Sequence, residues 1–164
     1  AIRITRLENS SLIARRLAPF SIRIVATPEL LERHGVPTKP QDLANLPCII
    51  DTNGRWLSNW QFRRMNGDIY SVSVTGPLEV NSPMATRAAA LASLGFCILP
   101  DFIAEADLKA GRLVSVLEDS LPTNGGIFAI YPHRRYLPAK VRVLVDFLVQ
   151  WFKTNGRVDG AGAS

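Results

Sequence analysis

A chain of 164 residues with 47% hydrophobic and 20% charged side chains has a globular composition, enough for one domain or two small lobes, and excludes a disordered or low-complexity protein. No apolar run approaches the roughly 18 residues a membrane-spanning helix needs, and the first residues show neither an initiator Met nor a signal-peptide pattern, so the chain reads as starting inside a longer protein. The excess of 19 Lys and Arg over 14 Asp and Glu is scattered as the pairs Arg15-Arg16, Arg63-Arg64 and Arg134-Arg135; without a dense basic run or clustered stacking aromatics it reads as solvated surface rather than a nucleic-acid face.

In chain order, Ile2 to Ile4 reads as the end of a buried strand and the region of Asn9 as a loop. Ser21-Ile22-Arg23-Ile24-Val25-Ala26 alternates and is β-branched, predicting a strand that ends before Pro28. Pro28 opens a short helix over 29–33, stopped by Gly35, and 41–46 forms a helical turn closed by Pro47. Cys48-Ile49-Ile50, Trp60-Gln61-Phe62 and 69–74 read as strands of antiparallel type, the last with Tyr70, Val72 and Val74 on one face. Asn66-Gly67 is the hairpin signal between the last two. Trp56 and Trp60 read as core or rim aromatics. Cys48 and Cys97 sit inside apolar runs, where a free thiol acts as a small hydrophobe, and the simpler inference is a reducing cytoplasm.

Residues 80–102 read as strand end, helix, strand and next helix start. Ser82 suits the N-cap, Pro83 the first helical position and Gly95 a left-handed C-terminus, while Met84, Ala88, Leu91 and Ala92 recur at helical spacing. The run from Phe96 to Leu99 is too short for a helix and ends at Pro100, so it reads as a strand. Such a unit aims unpaired N–H groups and a partial positive charge at a crevice, which favours a carboxylate or other polar group. The plainer alternative is that Asn81 and Ser82 only cap the helix.

Asp101 is expected to cap a helix through Lys109 that ends near Gly111, and 113–117 to form a strand, giving a parallel sheet with right-handed crossovers. Thr123-Asn124-Gly125-Gly126 reads as a turn, and Ile127-Phe128-Ala129-Ile130-Tyr131 as a strand stopped by Pro132. From Pro138 a helix carries Val141, Leu144, Val145, Leu148 and Phe152 on one face and Val143, Phe147 and Trp151 on a second stripe, wider than one sheet contact needs. Residues 157–164 are Gly- and Ala-rich and are expected to be disordered. His34 and His133 stand far from either Cys in sequence, and no zinc spacing, nucleophile elbow, P-loop or dinucleotide motif is present, so neither an enzyme nor a cofactor is expected.

In order along residues 1–152, several segments together resemble the effector-binding domain of LysR-type transcriptional regulators. They are Ala1-Ile2-Arg3-Ile4 with Ser10-Ser11-Leu12-Ile13-Ala14-Arg15-Arg16-Leu17, Val25-Ala26-Thr27-Pro28-Glu29-Leu30-Leu31, Pro40-Gln41-Asp42-Leu43, Val80-Asn81-Ser82, the run from Ala88 to Pro100, Gly111-Arg112-Leu113-Val114, and the run from Tyr131 to Arg142. The resemblance implies an α/β fold of the type 2 periplasmic-binding-protein kind: two Rossmann-like lobes joined by two crossing strands, the first lobe incomplete. Residues 1–22 would be the last part of lobe I, 23–26 the first crossing strand, 27–126 lobe II, 127–131 the second crossing strand, 132–154 the return to lobe I, and 155–164 a tail.

The implied function is to hold a small-molecule effector, a carboxylate among the candidates, in the cleft between the lobes. The second-lobe wall would be Asn81, Ser82, Met84, Leu99, Pro100 and Phe102, the first-lobe wall Arg3 and Ile4, and Arg3 could pair an effector carboxylate. The full-length protein would be a cytoplasmic homo-oligomer, dimer or tetramer, that meets DNA only through a helix-turn-helix this chain lacks, with no membrane partner. The rest of the first lobe would cover the apolar face of the 138–152 helix and the edge beside Ile2 and Ile4, so the chain alone is expected to self-associate. The alternative is a solute-binding protein of the same fold, disfavoured by the absent leader and the buried-looking thiols.

Overall fold

The computed structural model describes residues 2–5, 13–54, 57–122, 125–131 and 138–155. The expectations for the Asn9 loop, Trp56, Thr123-Asn124, His133 with Arg134-Arg135, and the tail lie outside those residues. The chain divides into two compact units, one of residues 1–21 with 123–164 and one of residues 22–122, and passes between them after Ser21 and after Pro122.

In the first unit β1 (Ile2–Thr5) and β2 (Ile13–Phe20) flank β10 (Gly125–Tyr131), antiparallel on both sides. β2 was not expected, because Arg15-Arg16 and Pro19 break its apolar pattern; as an outer strand of this sheet it tolerates both. Gly125 and Gly126 extend β10 opposite Phe20 and Pro19 rather than forming a turn. Helix α4 (Ala139–Asn155) lies on this sheet, with Val145, Leu17 and Ala129 buried and Val141, Leu148, Val149 and Phe152 packed around them. Leu144, expected on the packed face, is exposed, and Val149 takes its place.

The second unit is a mixed sheet in the order β7-β4-β8-β3-β9. Its strands are β3 (Ile22–Ala26), β4 (Pro47–Asp51), β7 (Thr75–Val80), β8 (Cys97–Pro100) and β9 (Val114–Val116). β4 and β7 are parallel, and a parallel bridge at Cys48 and Phe96 joins them to β8, with Ile49 N donating to Phe96 O at 2.8 Å and Phe96 N to Pro47 O at 2.8 Å. β3 is antiparallel to both β8 and β9, which corrects the all-parallel expectation. Alternate residues serve two cores. Ile24, Ala26, Cys48 and Ile50 meet Leu30, Leu43, Trp60, Phe62, Val72 and Val74, while Val25, Ile49, Cys97 and Leu99 meet Ala89, Ala90, Ala104 and Leu113. Strands covered on both faces read as continuous apolar runs, which is why their positions were visible in the sequence. The first core is closed by α1 (Pro28–His34), a 3-10 helix (Pro40–Asn45) and the hairpin of β5 (Asn59–Arg63) with β6 (Ile69–Ser73), the second by α2 (Pro83–Leu91) and α3 (Asp101–Lys109).

The hairpin turns at Asn66-Gly67 as expected, with Gly67 at φ +93° and Asp68 N donating to Asn66 Oδ1 at 3.1 Å. Cys48-Ile49-Ile50, however, pairs in parallel with β7, a strand hidden by its turn-like start Thr75-Gly76-Pro77. Gly76 is required there because a Cβ would lie 1.6 Å from the Cys48 carbonyl oxygen, and Pro77 is accommodated on an outer strand. Around α2 the buried side chains are Thr86, Ala89 and Ala90, whereas Met84, Ala88 and Ala92 face outward. The left-handed residue after the helix is Ser93, at φ +57°, not Gly95. Its hydroxyl is held by Thr27 Oγ1 at 2.7 Å and donates to Glu29 Oε2 at 3.0 Å, while Gly95 serves a close approach to the Pro47 carbonyl.

Candidate functional site

In a sheet of this kind the place to look is the edge where parallel strands end and helices begin. β4 and β7 end side by side, Asp51 opposite Val80, and β8 ends at Pro100 opposite Ile22. α2 and α3 start directly after β7 and β8, so six of the expected residues (Asn81, Ser82, Met84, Leu99, Pro100 and Phe102) stand at or next to this edge in one unit. Met84 and Phe102 are the second residues of the two helices, 58% and 52% exposed. Leu99 is corrected: its side chain is wholly buried in the core beneath α2 and α3, so it packs the site from behind and offers no contact surface. Arg3 and Ile4 lie in β1 of the other unit, in register with Phe128 and Ile127. Their side chains are outside the described residues.

Ser82 occupies the N-cap position with extended backbone, φ −151° and ψ 131°, and its carbonyl accepts from Thr86 N at 2.9 Å and Thr86 Oγ1 at 3.1 Å. Its own side chain makes no capping hydrogen bond. α2 also has no acidic residue in its first turn, so the partial positive charge of that turn is not offset by its own side chains. α3 differs. Its N-cap is Pro100, and Asp101, expected as the cap, is its first residue; the Asp101 carboxylate accepts from Arg23 Nε at 2.9 Å, and Arg23 Nη1 pairs with Glu118 at 2.9 Å.

Two groups at this edge were not singled out in the sequence. The loop after β4 is tied to the approach to α2: Thr52 N and Oγ1 donate to Val80 O at 2.7 and 3.1 Å, Asn53 Nδ2 donates to Asn81 O, and Asn53 N donates to Asp51 Oδ1 at 2.9 Å. The Asp51-Thr52-Asn53-Gly54 stretch carries an Asx-turn signal that could have marked the loop, although not its partner. Behind the edge, Asp107 of α3 is wholly buried and joins α2 to the turn before β9. Arg87 Nε and Nη2 donate to its two oxygens at 2.5 and 2.9 Å, and Arg112 Nε donates at 2.8 Å. The Arg87 hydrogen bonds hold the Asp107 carboxyl below the usual carboxylate range against a desolvation that would raise it, and Arg112 adds to the effect.

Among the described residues no group of three or more His, Cys, Asp or Glu side chains could hold a metal ion, and no helix is long and apolar enough to cross a membrane. His34 is exposed in the last turn of α1. Trp60 is a core residue whose indole donates to Leu57 O at 3.1 Å. Cys48 and Cys97 are both buried; burial pushes the Cys48 thiol up to about 12, and burial followed by the neighbouring Cys48 raises that of Cys97.

Residues 1–153 match the family model described as the LysR substrate binding domain. The chain is 34% identical over 144 residues to the HTH-type transcriptional regulator DmlR of Escherichia coli strain K12, covering 87% of this chain and 46% of that protein. It superposes on the full-length structure of the Vibrio cholerae virulence activator AphB with a TM-score of 0.75 at 29% identity, covering 92% of this chain and 50% of that one. It superposes on the regulatory domain of CrgA from Neisseria meningitidis with a TM-score of 0.69 at 28% identity, covering 91% of this chain and 72% of that one. The chain spans about half the length of the curated relatives it matches.

Proposed function

Because the chain belongs to the LysR substrate-binding-domain family, a family of regulators and not of enzymes, we propose that it is the effector-sensing part of a transcription regulator. Its ligand is a small anionic co-inducer with an apolar body, held at the sheet edge where α2 and α3 begin. The observation that carries this is the start of α2: a first turn with no acid of its own, a Ser82 hydroxyl not spent on capping, and exposed apolar side chains, Met84 and Phe102, at the two adjoining helix starts. A carboxylate there meets N–H donors and partial positive charge, and the ligand's apolar body meets Met84 and Phe102.

This wall is one side of the inter-lobe cleft that the family resemblance implies. The division into lobe I, lobe II and crossing strands 23–26 and 127–131 is part of the same proposal, as are a contribution from Arg3 and Ile4, a cytoplasmic setting, oligomerisation of the full-length protein and DNA contact through its helix-turn-helix. The effector acts by binding one arrangement of the lobes better than another, since only differential affinity moves such an equilibrium.

The test is a thermal-shift screen of small carboxylates with aliphatic and aromatic bodies, each beside its uncharged amide. A ligand at about 100 times its dissociation constant adds about 2.7 kcal/mol of stability, a shift of several degrees for a chain of this size. The expected result is a rise with a carboxylate, none with its amide, and a smaller rise in Ser82→Ala. Equal response to acid and amide, or full response in both Ser82→Ala and Asn81→Ala, refutes the site.

A further inference from the structure

Arg23 ties together three segments that lie far apart in sequence. It is the second residue of β3, the strand on which the chain enters the second unit after Ser21. Its Nε donates to Asp101 Oδ1 at 2.9 Å, and its Nη1 pairs with Glu118 Oε1 at 2.9 Å. Asp101 is the first residue of α3, beside Phe102 at the candidate site. Glu118 opens a 3-10 turn, Glu118–Ser120, that ends two residues before the chain leaves the unit after Pro122. One planar guanidinium, its donors fixed in a fork, therefore joins the start of α3 to both ends of this unit's chain. The Asp101 side chain keeps 18% of its exposure and Glu118 55%, so the arm to Glu118 is the looser one.

The turn held by that looser arm is strained. Leu117, immediately before Glu118, has φ +55° and ψ 35°, a left-handed conformation in which the Leu Cβ crowds its own backbone. Ser120 N donates to Leu117 O at 3.0 Å and Leu121 N to Glu118 O at 3.4 Å, while Leu121 is buried in the first core with Leu117 packed against it. Such a conformation persists only where its surroundings impose it. Here the core contact restrains one side of the turn and the Arg23 arm the other, so freeing Glu118 lets the turn relax.

We propose that Arg23 is a positioning residue for effector signalling: it relays a change at the start of α3 to the strained turn through which the chain leaves the unit. A ligand that moves the first turn of α3 moves Asp101, and the guanidinium follows it toward or away from Glu118. Its use in signalling rests on the sheet edge being the effector site; the physical link from Asp101 to Glu118 does not.

The experiment is hydrogen exchange on the 164-residue chain, read at the Ser120 and Leu121 amides, the two that donate within the turn. Glu118→Gln cuts the link at the turn, and Asp101→Asn cuts it at the far end without touching the turn. Both should speed exchange of the two amides about threefold to tenfold. The Ile49 amide, bonded to Phe96 O across the middle of the sheet, should keep its parent rate, which separates local loosening from global loss of stability. In an Arg23→Met background, which keeps an apolar stem and removes the fork, Asp101→Asn should add nothing further at Ser120 and Leu121. Unchanged turn exchange in Asp101→Asn, an equal rise at Ile49, or an undiminished Asp101→Asn effect in the Arg23→Met background would each overturn the relay. None of these readings uses a ligand, so the relay can fail while the effector site stands, and the site's own failure is read in the thermal-shift screen.

Discussion

Replacing Asp107 by Asn tests whether α2 and α3 are held as one rigid shelf behind the candidate site. The carboxylate is wholly buried, receives both Arg87 donors and one from Arg112, and its backbone carbonyl also accepts from Arg112 N at 2.9 Å and Leu113 N at 3.2 Å. Removing one partner of a buried ion pair costs about 3–5 kcal/mol when the other charge stays buried. Here the Arg87 and Arg112 side chains retain 28% and 55% of their exposure, so both can rehydrate, and Asn keeps one acceptor. The expected loss at neutral pH is therefore about 2–3 kcal/mol, a large share of the roughly 5–15 kcal/mol that a domain has. The pH dependence gives the sign. A carboxyl whose folded pKa lies below the unfolded value of about 3.9 contributes stability above that value and loses it as pH falls through the folded pKa. Urea unfolding of both proteins should thus show a gap at pH 7 that narrows below about pH 4. A gap under about 0.5 kcal/mol at pH 7, or one that does not change with acid, would refute the clamp.

Gly76→Ala places a Cβ 1.6 Å from the Cys48 carbonyl oxygen, so β7 must leave its register with β4; a loss of about 3 kcal/mol in urea unfolding is expected, and a change below about 1 kcal/mol would show that the approach is looser. At Ser93 both Ala and Gly remove the hydroxyl bonds to Thr27 and Glu29, but only Gly relieves the φ of +57°; Ser93→Gly should be the more stable of the two by about 0.5–1 kcal/mol, and the reverse order would sink the strain argument. Ser82→Ala should leave the unfolding midpoint within about 0.5 kcal/mol of the parent, since no capping bond is lost, while weakening a bound carboxylate by about 1 kcal/mol, read by titration calorimetry.

The positions of most elements were legible because each is written locally. α1 is bounded by Thr27, whose hydroxyl accepts from Leu30 N at 3.2 Å, and by Gly35 at φ +84°, both readable as helix ends. Strand direction was not legible. The run Cys48-Ile49-Ile50 shows that it is buried on two faces, but nothing within it says that its neighbour runs parallel and begins with Thr75-Gly76-Pro77. That pairing is made by tertiary contact, and its one sequence trace, a glycine, looks the same in a turn as under a crossing carbonyl. The loop at Thr52 and Asn53 was missed for the same reason, its partners Val80 and Asn81 lying 28 residues on. Leu99 was misassigned because its place in the strand brings it to the edge while its side chain points inward.

The start of α2 remains the point where sequence leaves two readings open, and the molecule holds its own control. Two helices begin with a hydroxyl residue followed by proline: Thr27-Pro28-Glu29 at α1 and Ser82-Pro83-Met84 at α2. At α1 the hydroxyl caps, it is buried, and Glu29 supplies the acid that the first turn favours. That end is complete within the chain. At α2 the hydroxyl does not cap, the first turn has no acid, and an exposed Met84 stands where α1 has its Glu. The same local signal therefore yields one end capped by its own hydroxyl and acid and one whose hydroxyl does not cap and whose first turn carries no acid. Supplying that acid from within should mimic the ligand: Met84→Glu should raise stability by about 0.3–1 kcal/mol through the helix dipole and abolish the carboxylate-dependent thermal shift. If the variant still answers to the carboxylate with an undiminished shift, the start of α2 is not where the ligand binds.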